Sequence, residues 1–312
     1  MTDARVFLIG GATYDLQGQA FRELVPRDSN PGQITLGFGG VARNIAENLA
    51  RLGVTPTLIT AVGDDALGTE LLVHAREAGI ETERILTVPG SRTAGYVALL
   101  DREGDMQLGL SDMGILDALT EDALEERISD IRPQDLAVLD TNLDETMIAW
   151  LCRRLPCRIY ADPISANKAP RLLSSLGRMD LVKPNRYEAE ALTGLPVTTP
   201  EEARRAGERL RDLGSARVCI NLSGGGAVLV GPEGAVGLRA RNISVQSATG
   251  AGDAFMAGLI LSDLEGRNPV ETLKLATGCA MAALGSPQAV SRDLTRPGLD
   301  RLLSSMELEV LL

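Results

Sequence analysis

Residues 247–253 read Ser247-Ala248-Thr249-Gly250-Ala251-Gly252-Asp253 and run directly into an apolar helical stretch that begins at Ala254. Glycines at a helix start leave backbone N–H groups open to approach, because no Cβ stands in the way. The positive end of the helix dipole favours a phosphate or a developing oxyanion at that place. Gly250, Ala251 and Gly252 therefore read as an anion hole. Asp253 stands at the same helix mouth, where a carboxylate can take a proton from an attacking hydroxyl. An acidic residue in a first turn also stabilises its own helix, and the spacing by itself leaves both roles open.

Around this segment, short apolar runs alternate with helical patterns, the signature of crossover units feeding a mostly parallel sheet, so the class is α/β. Buried strands are predicted at 6–10, 57–61, 136–139, 158–161, 181–183, 217–221 and 227–230. The clearest predicted helices span 41–52, 66–78, 201–213, 252–264 and 269–284, with Gly53, Gly79 and Gly214 as stops. Two stretches break the rhythm, 17–37 and 84–109. In the second, Tyr96, Ala98 and Leu100 alternate ahead of the turn Arg102-Glu103-Gly104-Asp105. They are expected to form one small β-sheet lid, built from inserted segments of about 16–38 and 84–112, on a single domain spanning 1–312.

A second glycine cluster, Gly37-Phe38-Gly39-Gly40, opens the helix that carries Asn44 one turn later. The Asn44 amide is placed either to meet a sugar hydroxyl above the glycines or to make a local cap. Asp15 lies just beyond the first strand, where open α/β sheets hold ligands, and its carboxylate can accept two hydroxyls. In Lys183-Pro184-Asn185-Arg186-Tyr187-Glu188, Asn185 and Glu188 read equally as a capping box or as a means of orienting hydrated magnesium. Ser223-Gly224-Gly225-Gly226 adds a turn at the strand edge.

Composition excludes several classes. The 312 residues carry a net charge of −11 with 3% aromatics, which argues against a nucleic-acid partner. No long apolar stretch suggests a signal peptide or membrane span, so a cytoplasmic location is expected. Cys152, Cys157, Cys219 and Cys279 with the lone His74 form no zinc pattern and read as buried thiols. There is no Walker A motif, no dinucleotide fingerprint and no Ser-His-Asp set.

Taken together, residues 39–46 (Gly39-Gly40-Val41-Ala42-Arg43-Asn44-Ile45-Ala46) and 248–253 resemble the two signatures of the ribokinase-like (PfkB-type) carbohydrate kinases, in the family's order and separation. Within the family, residues 28–32, 43–50, 111–113 and 162–168 are most similar to the members that phosphorylate pseudouridine. The resemblance implies a ribokinase-like fold and ATP-dependent phosphorylation of a ribose 5′-hydroxyl, with Asp253 as base. It places Asp15, Gly39, Gly40 and Asn44 on the ribose, Thr93 and Tyr96 in the closing lid, and Ser29, Asn30, Asp112 and Met113 near the nucleobase. Asn185 and Glu188 would organise the metal-phosphate end, with Mg2+ held by Glu188 through water. Ser223, Gly225, Gly226, Thr249 and Gly252 would contact the nucleotide, and residues 276–283, with Cys279, would line the adenine slot. Ser247 stands where many members carry an aspartate associated with a monovalent cation, which leaves that dependence open. A homodimer through the lid is a further expectation. The alternatives are a kinase for another nucleoside or sugar, such as adenosine or ribose, and a non-catalytic nucleoside sensor.

Overall fold

A computed structural model describes residues 3–222, 224–241, 245 and 247–312. The first apolar run forms β1 (Val6–Ile9), with all four side chains out of water. β2 (Thr13–Ala20) and β3 (Gly32–Gly39) pair antiparallel, from Thr13 opposite Gly39 to Ala20 opposite Gly32. α1 (Val41–Arg51) starts at Gly40, whose φ of 91° suits glycine and where a Cβ would overlap the Gly11 carbonyl. Then come β4 (Pro56–Ile59), β5 (Ala61–Gly63), α2 (Ala66–Glu77), β6 (Leu86–Val88) and the hairpin of β7 (Gly95–Leu100) and β8 (Met106–Asp112). The alternation resumes with α3 (Glu121–Ile128), β9 (Leu136–Asp140), α4 (Glu145–Arg154), β10 (Arg158–Asp162), β11 (Leu181–Val182), α5 (Arg186–Thr193), α6 (Pro200–Asp212) and β12 (Val218–Leu222). The chain continues through β13 (Gly226–Gly231), β14 (Gly234–Ala240), α7 (Ala251–Leu264), α8 (Pro269–Leu284), α9 (Arg296–Ser305) and β15 (Leu308–Val310).

The large sheet has the order β15-β14-β13-β12-β11-β10-β9-β1-β4. It is parallel from β4 to β12 and antiparallel from there to β15. Successive side chains of β1 feed two cores. Val6 and Leu8 pack with Ile45, Leu49 and Leu259 on one face, and Phe7 and Ile9 with Ile148, Leu151 and Leu210 on the other. Strands covered on both faces read as unbroken apolar runs, which is why the parallel part was legible. β1 has β4 on one side and β9 on the other. The carboxyl edge at such a switch of strand order is where open sheets hold ligands.

The segments expected to form the lid make a separate small sheet, the lid sheet, in the order β3-β2-β7-β8. It begins at Thr13, earlier than expected, and residues 84–94 lie outside it. Instead β6 pairs with β5, Ala61 opposite Leu86, so its backbone is satisfied beside the large sheet. The run predicted as one strand at 57–61 thus divides between β4 and β5. Register assigns the lid's two faces. Asp15, Tyr96 and Ser111 share one, and Leu36, Leu16, Val97 and Leu110 share the other. Among the described residues no helix is long and apolar enough to cross a membrane.

Candidate active site

Gly250 caps α7 in the left-handed conformation, and a Cβ there would overlap the carbonyl oxygen of Ala289. Only glycine fits, and the first-turn amides that follow have no partner within the helix. Asp253 occupies that turn and is buried. Asn44, one turn into α1, donates from Nδ2 to Asp253 Oδ2 at 2.8 Å. Burial, aided by the neighbouring charge of Asp162, pushes the Asp253 carboxyl up to about 7, against the pull of Asn44 and Lys183. A carboxyl in that range is poised to accept a proton near neutral pH.

The glycine cluster meets the same place. A Cβ at Gly39 would overlap the Asp15 carboxylate, so the missing side chain lets that group sit against the strand backbone. Asp15 accepts from Thr13 Oγ1 at 2.6 Å, and burial raises its pKa, opposed by Thr13 and Arg43. Tyr96 is its direct strand partner and stands on the same face of the lid.

At the carboxyl edge of the sheet stand groups that the sequence reading left unassigned. Asp140 ends β9 and accepts from the amides of Gly11 and Ala42 at 2.8 and 3.1 Å, so it ties β1 to the start of α1. Burial pushes its carboxyl up to about 6. Asp162 ends β10 and pairs with Lys183 at 2.9 Å. The Lys183 ammonium also donates to the Gly252 carbonyl at 3.2 Å. Burial works against this ammonium, but Asp162, Glu188 and Asp253 together hold its pKa above the usual value. The sequence showed no basic cluster beside Asp253, yet the fold brings one lysine there from 70 residues earlier. A lysine immediately after a buried strand was the available signal.

Asn185 and Glu188 form a complete capping box. The Asn185 side chain accepts from the Glu188 amide, and Glu188 accepts from the Asn185 amide at 2.8 Å and from its Nδ2 at 2.6 Å. The Glu188 carboxyl is raised by burial and by Asp162.

Other expected residues lie elsewhere. Cys279 is fully buried in α8, in the core with Ala276 and Ala283, and packs against Gly258 of α7, while Ala280, Met281 and Ala282 are half-buried. The Thr93 hydroxyl donates to Asp65 at 2.7 Å and accepts from the Gly63 amide at 3.0 Å, so its donor is spent on anchoring the root of β7 and one acceptor lone pair is left. Ser29 and Asn30 lie in the loop joining the distal ends of β2 and β3, roughly 20 Å along the strand from Thr13. There the Asn30 amide is spent on the Val25 amide and on the carbonyls of Val25 and Asp28. Asp112, by contrast, pairs with Gly95 at the lid's root, and Met113 packs against the core beside it. Gly225 and its neighbour Gly224 have left-handed backbones, while Gly226 begins β13 and Thr249 is exposed. Ser223 lies outside the described residues.

The chain matches the family described as pfkB family carbohydrate kinase over residues 3–295. It is 34% identical over 306 residues to pseudouridine kinase from Escherichia coli K12, covering 97% of each. It is 27% identical over 291 residues to guanosine-inosine kinase from Exiguobacterium acetylicum, covering 91% of this chain and 95% of that protein. Among solved structures, the carbohydrate kinase from Agrobacterium tumefaciens superposes with a TM-score of 0.84 at 29% identity, covering 98% of this chain and all of that one. Ribokinase from Arabidopsis thaliana, complexed with ribose and ATP, shares the fold with a TM-score of 0.79 at 20% identity, covering 97% and 99%.

Proposed function

Because the chain belongs to the pfkB family of carbohydrate kinases, we propose that it transfers the γ-phosphoryl group of ATP to the 5′-hydroxyl of pseudouridine. Membership makes it a phosphotransferase with an alcohol acceptor on a ribokinase-like fold. The substrate reading rests on the similarity to pseudouridine kinase along nearly the whole chain. The catalytic reading rests on one observation, the buried Asp253 held by Asn44 at the mouth of α7.

In this reading Asp15 and Asn44 hold the ribose hydroxyls above Gly39 and Gly40. Asp253 takes the proton from the 5′-hydroxyl as its oxygen attacks. The open amides of Gly250, Ala251 and Gly252 receive the charge on the transferring group. Lys183 steadies the turn through the Gly252 carbonyl. The lid face bearing Asp15 and Tyr96 closes over the nucleoside, Asp112 stands at its rim, and water is excluded. Gly225, Gly226 and Thr249 serve the nucleotide.

Magnesium fits these residues. Asp162, Glu188 and Asp253 gather around Lys183, with Asp140 beside Asp162, and burial with mutual repulsion raises several of their pKa values. Among the described residues no three acidic, histidine or cysteine side chains are placed to hold an ion directly. That arrangement suits an ion that keeps most of its water. Glu188 would hold it through water, and the ion when bound neutralises phosphate charge.

The four cysteines are free and buried, which accords with the proposed cytoplasmic setting. The apolar lid face is read as the contact of a homodimer. The deciding experiment measures phosphate transfer from ATP to pseudouridine, uridine, guanosine, adenosine and ribose. Pseudouridine is expected to have the highest kcat/KM, and comparable values for uridine would remove the narrow assignment. Preference for guanosine would favour a purine-nucleoside kinase instead.

A further inference from the structure

One buried side chain joins the root of the lid to the group that aligns Asp253. Arg43 is 2% exposed, and its guanidinium is divided among three elements. Nη1 donates to the Phe38 carbonyl near the end of β3 at 2.7 Å and to Asn44 Oδ1 at 2.8 Å. Nη2 pairs with Glu47 one turn along α1 and faces His74 Nδ1 on α2 at 3.2 Å. The His74 ring also packs on that of Phe38, with centroids 5.1 Å apart. A buried cation held in this way is costly to keep, since its Nε has no partner and burial lowers its pKa.

What the arrangement achieves follows from the chemistry of an amide. Asn44 has an acceptor end and a donor end, and the two are interchangeable by a flip. A guanidinium on Oδ1 holds the acceptor end away from Asp253 and leaves Nδ2 facing the carboxylate. Turned the other way, Oδ1 would meet a carboxylate oxygen, and two acceptors would repel. The same Nη1 grips the Phe38 carbonyl, two residues before Gly40. The amide and the root of the lid strand therefore share one anchor.

We propose that Arg43 is a positioning residue that fixes the orientation of Asn44 toward Asp253 and makes that orientation depend on where the root of β3 sits. Movement of the lid is thereby felt at the base. The inference rests on the kinase reading of Asp253.

The test compares Arg43→Gln, Arg43→Lys, Asn44→Leu and the Arg43→Gln/Asn44→Leu pair, using the best nucleoside of the substrate panel. Arg43→Gln should lower kcat on the order of 30- to 100-fold, and Arg43→Lys about tenfold, because one ammonium cannot reproduce the fork. KM for ATP should stay within about twofold, since none of these residues serves the nucleotide side. The pair should be no worse than Asn44→Leu alone by more than about threefold, because both changes break the same linkage. Thermal unfolding and circular dichroism establish that each variant is folded. If Arg43→Gln does not fold, Arg43→Lys and its pair with Asn44→Leu decide, since lysine keeps a positive charge facing Glu47. Folded variants with wild-type kcat, or losses that multiply in the pair, would overturn the inference and leave the kinase reading standing. A wild-type chain that phosphorylates nothing in the panel overturns the kinase reading and this inference with it.

Discussion

Asn44 and Asp253 are separated by 209 positions in the chain and joined by a 2.8 Å hydrogen bond between side chains that are both buried. The bond links the first turns of α1 and α7, so the glycine cluster that opens one helix and the glycine turn that opens the other meet at a single carboxylate. Its donor favours the charged carboxylate while burial favours the neutral one. The balance near 7 suits the proposed role of this carboxylate as a base.

Asp253→Asn keeps the size and the hydrogen bonding of the side chain but removes the proton acceptor. It should leave nucleoside binding by calorimetry near the wild-type value and lower kcat by about 100- to 10,000-fold. Turnover within tenfold of wild type would remove Asp253 as the base. In the wild-type enzyme kcat/KM for the nucleoside should fall as pH drops through about 7. Asn44→Leu, which takes away a donor to the charged form, should move that limb about one unit upward.

The same carboxylates set a pH dependence of stability. Asp140 and Asp253 titrate near 6 and 7 in the folded chain, and the Glu188 carboxyl is also raised. Each lies above its unfolded value, so between these values the folded state binds more protons and stability falls as pH rises. His74, lowered by burial and by Arg43, opposes them in a window below its ordinary 6.5. Asp130 and Asp135, held low, act only under more acid conditions. The urea midpoint of the ligand-free protein should therefore decline from pH 5 to 7.5, and Mg2+ with ATP should restore it. A midpoint that rises steadily over that range would contradict the burial assigned to these groups.

Gly250→Ala places a methyl group on the Ala289 carbonyl and a side chain in a left-handed backbone. The backbone term alone costs about 1–2 kcal/mol, and relieving the overlap must displace the turn. Urea unfolding should show a loss of at least that size, with kcat falling further than stability explains. Unchanged activity would show that the amide turn is not used.

On the lid, Leu36, Val97, Leu99, Leu108 and Leu110 are all exposed, and the strand register aligns them on the face opposite Asp15. Monomers seldom leave such a continuous apolar patch in water. Sedimentation should detect a dimer, and Leu108→Glu should shift it toward monomer while the far-ultraviolet spectrum is preserved. A wild-type chain that is monomeric at high micromolar concentration would refute the lid contact.

The buried parallel strands were legible in the sequence because both their faces are covered, and the helices around 41–52 and 252–264 because glycine starts and apolar periodicity agree. Local chemistry also sufficed to single out Gly250, Gly252 and Asp253, since a glycine turn entering a helix carries its electrostatics with it. What the tertiary structure decided was convergence. Asp140, Asp162 and Lys183 look unremarkable in order along the chain, and they become one charged cluster only because parallel pairing aligns the carboxyl ends of β9, β10 and β11. The same holds for Cys279 and Thr93. Cys279 lies on the side of α8 that packs on α7, and the Thr93 hydroxyl is held by Asp65 and Gly63. Periodicity shows that a residue belongs to a helix or strand. Which neighbour its side chain meets depends on the packing of distant segments, and that information is not local.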